Sequence, residues 1–120
     1  MDNRVSKNDL RVHRRRSGLS QRQVGQVLGY PNEAQVSRHE NAKTAPLLVS
    51  ALGYEIIFRV PMRALFPGMY EEVRRAIERR LCELEATLQD LTVQGAQAEM
   101  IAQTLTWMME RRERDMFDGG

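Results

Sequence analysis

The chain has 120 residues, which is enough for one modest core or for a small domain with an appendage. Hydrophobic residues make up 42% and charged residues 28%, as in soluble globular proteins, and no apolar run approaches the roughly 18 residues of a membrane-spanning helix. The N-terminal residues lack the apolar segment of a secretory signal, and Cys82 is the single cysteine. We therefore expect a cytoplasmic protein without disulfides.

The charge is distributed unevenly along the chain. In residues 1–50, nine Lys and Arg against four Asp and Glu give a net charge of +5. In residues 51–120, nine against twelve give −3. The first half is suited to a polyanion, whereas the second half is more suited to a protein partner.

Apolar spacing and capping residues predict helices almost throughout, so the predicted fold class is all-α. A first helix is predicted over Lys7–Arg16 and ends at Gly18. A second helix begins after Ser20, which forms a capping box with Gln23, and it ends at Gly29.

The third, fourth and fifth helices are predicted to be separated by turn residues. Asn32 caps a short helix over Glu33–Asn41, Pro46 opens a fourth helix and Pro61 opens a short fifth. Pro67-Gly68 is a strong break, which we interpret as a domain boundary.

Residues 68–118 are predicted to form a helical hairpin, as a second domain after residues 7–67. Gly95 separates its two helices. Spacings of four and three give the first of them an apolar stripe: Val73, Ile77, Leu81, Leu84, Leu88 and Leu91. This stripe is suited to dimerisation, and packing on the first domain is the alternative.

Residues 20–43 contain two short predicted helices joined by a tight turn, and the second helix has a polar outer side. Gln can hydrogen-bond an adenine edge at two points, Arg can do so with guanine, and Ala can touch a thymine methyl group. An α-helix fits the major groove of DNA. The outer residues are Glu33, Ala34, Gln35, Ser37 and Arg38.

This segment resembles the helix-turn-helix of the phage repressor and Cro (XRE) family. The resemblance spans about residues 8–73 and implies a five-helix repressor-like domain that binds double-stranded DNA as a homodimer. The residues that carry it are Leu19-Ser20-Gln21, Val24-Gly25, Leu28-Gly29, Val36-Ser37-Arg38-His39-Glu40 and Asn41-Ala42-Lys43.

The resemblance also implies roles for single residues. Gln21, Asn41 and Lys43 correspond to phosphate contacts, and Arg14 corresponds to the partner of Glu40 in a partly buried ion pair that orients two helices. The full set of predicted DNA-binding residues is Gln21, Asn32, Glu33, Ala34, Gln35, Ser37, Arg38, Asn41 and Lys43.

Four features depart from the family pattern, one of which is that His13 and His39 occupy positions that are often apolar. Gly25 stands where alanine is usual, and the turn between Gly29 and Val36 has one residue more than the commonest version. Ala42 stands where glycine is preferred, at a position expected to be left-handed.

The sequence contains no catalytic constellation, and no metal or cofactor is predicted. The predicted function is a sequence-specific transcriptional regulator, most simply a repressor. One alternative is an antitoxin that binds DNA and holds a toxin with its tail. Another is an adaptor that keeps the fold, binds protein and no longer binds DNA.

Overall fold

The computed structural model describes residues 5–91 and 94–118, with side chains described as far as residue 115. Within these residues all regular structure is helical and there is no strand, so the fold class is all-α. The described chain divides into two compact units between Arg74 and Arg75. The helices are α1 (Leu10–Ser17), α2 (Gln21–Leu28), α3 (Ala34–Glu40), α4 (Leu48–Phe58), α5 (Met62–Leu65), α6 (Pro67–Asp90) and α7 (Ala96–Asp118).

The first unit has a core to which each of its first five helices contributes a side chain. Leu10 of α1, Val24 of α2 and Val36 of α3 belong to it, with Tyr54 of α4 and Leu65 of α5. Each of the five is at most 1% exposed. Burying an apolar side chain of this size stabilises a fold by roughly 1.5–3 kcal/mol, so every one of these helices is anchored from inside.

Local signals determine where α2 begins and ends. Ser20 Oγ accepts a hydrogen bond from the Gln23 N–H at 3.1 Å, and Gln23 Oε1 accepts one from the Ser20 N–H at 2.9 Å. The predicted capping box is therefore confirmed. Gly29 ends the helix in the left-handed conformation, with a φ of 92°.

Three boundaries differ from the prediction. Helix α1 begins at Leu10 rather than at Lys7, because the Leu10 N–H donates to Asn8 Oδ1 at 3.0 Å instead of continuing a helix. Helix α4 begins two residues after Pro46. Pro67-Gly68, predicted as a break, forms the first turn of α6, where proline is favoured because its missing N–H is not needed.

The second unit contains α7 and most of α6, and two ion pairs link these helices. Arg111 Nη1 donates to Glu78 Oε2 at 3.1 Å, and Arg112 Nη2 donates to Glu85 Oε1 at 3.1 Å. Met108 of α7 is buried, whereas α6 buries none of its side chains. The ion pairs thus link the two helices, and half-buried leucines of α6, Leu81 and Leu88, lie in the same unit.

Helix α4 carries apolar residues on both of its sides. Ala51 and Tyr54 are buried in the core, while the outer side is apolar and exposed. The outer residues are Leu48, Val49, Leu52 and Ile56. Despite this composition, none of the described helices is both long enough and apolar enough to cross a membrane.

Candidate nucleic-acid interface

Helix α3 separates its side chains into a buried and an exposed side. Val36, His39 and Glu40 are buried. The residues predicted to face bases all lie exposed, on the helix or directly before it: Glu33, Ala34, Gln35 and Arg38. The arrangement presents one side of a short helix to solvent while the other side is held in the protein.

His39 ties the inner side of α3 to α4. Its ring Nδ1 lies 2.8 Å from the hydroxyl oxygen of Tyr54, and the two rings meet edge to face at 5.8 Å between centroids. Burial, and then the charge of Arg38, lowers the pKa of His39, while burial raises the pKa of Tyr54. Both groups are therefore neutral at pH 7, and the contact is a buried neutral hydrogen bond.

The carboxylate of Glu40 joins α3 to both preceding helices. Arg14 Nε lies 2.5 Å from Glu40 Oε2, and Arg14 Nη2 donates to Oε1 at 3.1 Å, so the expected ion pair is present and is bidentate. Gln21 Nε2 also donates to Oε1, at 3.1 Å, and Arg11 Nε donates to it at 3.4 Å. One carboxylate thereby fixes the relative positions of α1, α2 and α3.

These donors also decide the charge of Glu40. Burial by itself would raise the pKa of the carboxyl, but the hydrogen bonds from Arg14, Gln21 and Arg11 outweigh burial and hold the pKa below its ordinary value. Glu40 is therefore ionised at neutral pH. Because desolvation offsets much of the attraction, such a pair orients helices more than it stabilises them.

Two residues predicted to contact phosphates are engaged within the protein. Gln21 donates to Glu40, as described above. Asn41 Nδ2 donates to the Ser37 carbonyl oxygen at 2.9 Å, and Asn41 Oδ1 accepts from Arg11 Nη2 at 2.7 Å. Both side chains are therefore held in fixed orientations before any ligand is bound.

Asn32 and Ser37, also in the predicted DNA-binding set, make local hydrogen bonds. Asn32 Oδ1 accepts from the Ala34 N–H at 2.9 Å and so satisfies a free donor at the start of α3. Ser37 is half-buried, and its Oγ accepts from Asn41 Nδ2 at 3.3 Å. In the free protein these two side chains shape the ends of α3.

The turn before α3 passes very close to α2. A Cβ atom at Gly25 would lie 2.7 Å from the backbone carbonyl oxygen of Asn32, a distance that real Cβ contacts do not reach. The Tyr30 N–H also donates to the Gly25 carbonyl at 2.8 Å. Gly25 is therefore the residue that lets this turn pack on α2.

The turn after α3 is left-handed although it lacks a glycine. Ala42 is buried and has a φ of 55°. Its N–H donates to the His39 carbonyl at 3.1 Å, and the Lys43 N–H donates to the Arg38 carbonyl at 3.0 Å, which is the Schellman pattern of a helix end. Lys43 is thus placed directly beyond the C-terminus of α3 and remains exposed.

The other polar residues of the outer side are available to a ligand. Within residues 5–91 and 94–115, no side chain makes a hydrogen bond to those of Gln35, Arg38 or Lys43. Among the same residues, no three His, Cys, Asp or Glu side chains lie together as metal ligands would. The chemistry offered by these three side chains consists of hydrogen bonding and positive charge.

Besides Tyr54, sequence reasoning missed Arg11 and Asn8, which also position α3. Arg11 bridges Glu40 and Asn41, and Asn8 Nδ2 donates to the His39 carbonyl at 2.8 Å. Arg11 precedes Arg14 by three positions and so lies on the same side of α1, which is the one sequence signal that could have indicated it. Asn8 gave no comparable signal.

Comparison of the chain with models of protein families, with curated proteins and with solved structures gives no match.

Proposed function

We propose that the protein is a sequence-specific transcriptional regulator that binds double-stranded DNA in the cytoplasm, most simply as a repressor. In this proposal α1–α5 are a five-helix repressor-like helix-turn-helix domain, with α2 and α3 as the helix-turn-helix. Helices α6 and α7 are a hairpin that makes the protein a homodimer. Two-fold dimers of such domains bind palindromic sites.

The observation that carries the proposal is the contrast between the two sides of α3. The inner side is fixed by Val36 in the core, by the His39–Tyr54 hydrogen bond and by the Glu40 carboxylate. The outer side, which bears Gln35 and Arg38, is exposed. A rigidly held helix with an uncommitted polar side is what reading of base edges requires.

Gln35 and Arg38 are assigned as the direct readers of bases. The amide of Gln suits adenine and the guanidinium of Arg suits guanine, each through two hydrogen bonds. Ala34 is small enough to accept a thymine methyl group beside them. Each two-point contact discriminates against a wrong base by about 1–3 kcal/mol.

Phosphate contacts are assigned to residues on either side of α3. Lys43 offers an exposed ammonium group just after the helix. Gln21 is already oriented by Glu40, and so would lose little conformational freedom on binding. Both Nδ2 hydrogens of Asn41 are used by Ser37, so Asn41 would release the Ser37 hydroxyl in order to donate to a phosphate. The charge of +5 over residues 1–50 attracts DNA to this part of the chain.

Selection of binding sites from randomised duplex DNA tests the proposal. The wild-type chain should enrich a palindromic sequence. Arg38→Ala should lose about tenfold or more in preference at one base pair of each half-site, in line with the 1–3 kcal/mol of a two-point contact. Arg63→Ala is the matched control, because it removes the same charge from an exposed position on α5.

Salt dependence separates the two kinds of contact. Lys43→Ala should weaken binding to all sequences alike and lower the slope of log affinity against log salt by about one. If the wild type enriches no sequence, the proposal fails, and the exposed side of α3 serves a protein partner such as a toxin or the target of an adaptor. Equal loss of preference in Arg38→Ala and Arg63→Ala would also exclude base reading by α3.

A further inference from the structure

Arg11 places a guanidinium group at the point where α1, α2 and α3 meet. Its Nε donates to Glu40 Oε1 at 3.4 Å, and its Nη2 donates to Asn41 Oδ1 at 2.7 Å. The side chain of Arg11 is 41% exposed, whereas that of Arg14, on the same carboxylate, is 14% exposed. The protein thus fixes the orientation of Arg11 and leaves much of it in contact with solvent.

The positive charge of Arg11 is not balanced within this cluster. Arg14 binds both oxygens of Glu40, so the single negative charge of the carboxylate is already paired. Within residues 5–91 and 94–115, Glu40 is the only carboxylate at ion-pair distance from Arg11 or from Arg14. Two guanidinium groups therefore share one carboxylate, and the excess positive charge favours the binding of an anion.

Arg11 also keeps hydrogen-bond donors for a ligand. A guanidinium group has five N–H donors, and the contacts with Glu40 and Asn41 use the edge formed by Nε and Nη2. No group of residues 5–91 and 94–115 accepts a hydrogen bond from Nη1. The edge formed by Nη1 and the second hydrogen of Nη2 therefore remains, and such a planar fork matches two oxygens of a phosphate.

Gln21, which is assigned to a phosphate contact, lies at the same point. Gln21 Nε2 and Arg11 Nε both donate to Oε1 of Glu40, at 3.1 and 3.4 Å. The two nitrogens cannot be farther apart than the sum of these distances. The bond to Glu40 uses one of the two hydrogens on Gln21 Nε2. An amide and a guanidinium thus converge where a single phosphate could accept from both.

The hydrogen bond to Asn41 holds Arg11 beside the outer side of α3. The Asn41 N–H donates to the Ser37 carbonyl at 3.0 Å, so the backbone still follows the helix at this residue. Asn41 comes three positions after Arg38, and residues three apart are neighbours on a helix surface. An anion on Arg11 would therefore lie at the edge of the surface that carries Arg38, where DNA phosphates flank the base edges.

We infer that Arg11 is a phosphate ligand: its free N–H edge binds one DNA phosphate together with Gln21, while Glu40 and Asn41 are positioning residues for Arg11. The inference deepens the proposed function, on which it rests for DNA as the source of the phosphate. It adds a charged contact on α1 to the contacts assigned to α2, to α3 and to Lys43.

The dependence of DNA affinity on salt tests the inference. Fluorescence anisotropy measures binding of the full-length chain to a duplex of the selected sequence and to an arbitrary duplex. Arg11→Gln keeps an amide donor for Glu40 or Asn41 but removes the charge. It should bind both duplexes about tenfold more weakly, and the slope of log affinity against log salt should fall by about one for each bound chain.

Two variants serve as controls. Arg63→Gln removes the same charge from an exposed position on α5 and should retain the slope of the wild type. Arg11→Lys keeps the charge but loses the two-point fork, so it should retain the slope and bind more weakly than the wild type. A residue that only held the helices together would weaken binding in Arg11→Gln without changing the slope.

Uncharged methylphosphonates, substituted one at a time into the selected duplex, identify the phosphate that Arg11 binds. At one position in each half-site the substitution should weaken binding of the wild type about tenfold. The same substitution should weaken binding of Arg11→Gln less than about twofold, because a contact that is already lost cannot be lost again. At the other positions the two proteins should respond alike.

An unchanged slope in Arg11→Gln, an equal change in Arg63→Gln, or equal responses to every methylphosphonate would overturn the inference. If a selected sequence is bound with an unchanged slope by Arg11→Gln, the proposed function stands without the inference. If no sequence is enriched but Arg11→Gln lowers the slope on the arbitrary duplex, the phosphate ligand stands and the sequence-specific regulator is refuted. A wild type that binds neither duplex refutes both.

Discussion

The helices of the two units differ in how far they bury their apolar side chains. Helices α1–α5 close over a core in which Leu10, Val24 and Val36 are fully buried, and their ionic contacts are buried with them. No side chain of α6 is fully buried, although Met69 packs against the core and Leu81 and Leu88 are half-buried, and the ion pairs of Glu78 and Glu85 are partly exposed. Apolar burial therefore stabilises the first five helices more than it stabilises α6.

The largest expected loss of stability comes from breaking the buried ion pair of Arg14 and Glu40, in contrast to the exposed pairs of the second unit. Glu40→Gln removes the charge that Arg14 faces and leaves a guanidinium that is only 14% exposed without a counter-charge. We expect a loss of about 3 kcal/mol in the free energy of unfolding, because stranding a buried charge costs far more than the pair itself contributes. Urea unfolding followed by circular dichroism measures the change.

Glu85→Gln is the counterpart of this variant in the second unit. It breaks the pair with Arg112, whose side chain is 53% exposed, and solvent screens the charge that remains. No measurable change in unfolding free energy is expected. A comparable loss in the two variants would mean that burial does not distinguish these pairs.

The next effect concerns the close contact between α2 and the turn. Gly25→Ala should destabilise the protein by about 1–3 kcal/mol, because the new methyl group meets the backbone oxygen of Asn32 and neither can move easily. Helix propensity alone predicts the opposite sign, a gain of about 1 kcal/mol. Thermal unfolding distinguishes the steric effect from the helix-propensity effect. A rise in Tm would show that the methyl group does not clash with the Asn32 oxygen.

The buried His39 should make the first unit sensitive to acid. Its folded-state pKa is lowered, so the unfolded chain binds a proton first, and stability falls as the pH drops through the ordinary histidine value of 6.5. Glu40, with a pKa also below its ordinary value of 4.5, adds a second loss at lower pH.

Removing the imidazole tests this pH dependence. His39→Gln should be less stable than the wild type at pH 7.5, yet its unfolding free energy should change less between pH 7.5 and pH 5.5. His13→Gln, which keeps His39, provides the reference slope. Equal slopes in His39→Gln and the wild type would assign the acid sensitivity to another group.

The smallest effect is expected on the outer side of α4. Val49 is 79% exposed, and Val49→Thr should change the unfolding free energy by no more than about 0.5 kcal/mol. A larger loss, particularly one that grows with protein concentration, would show that this side is also covered by another molecule in solution.

Local signals made much of the structure predictable. The all-α class, the capping box of Ser20 with Gln23 and the left-handed end at Gly29 depend on residues only a few positions apart. The pairing of Arg14 with Glu40 came from the family resemblance instead, since no spacing along the chain brings these two residues together.

What could not be predicted depends on contacts between segments. Arg11 acts on Glu40 and Asn41 only because α1 lies across the end of α3, and Asn8 meets the His39 carbonyl for the same reason. The start of α1 was misplaced because Asn8 Oδ1 accepts from the Leu10 N–H, in an orientation that also lets its Nδ2 reach the His39 carbonyl. The hydrogen bond of Gln21 to Glu40 was likewise hidden, since it joins residues from different helices.

The approach of Asn32 to Gly25 has a consequence for recognising proteins built in the same way. The longer turn between Gly29 and Val36 and the glycine at position 25 count as two separate differences from the helix-turn-helix pattern when a sequence is scored position by position. We predict that the two are one compensated change, because a Cβ atom at Gly25 would lie 2.7 Å from the carbonyl oxygen of Asn32 in that turn. A search pattern that permits the extra turn residue only together with glycine at this position would retrieve such chains, and it would reject those in which either difference occurs alone.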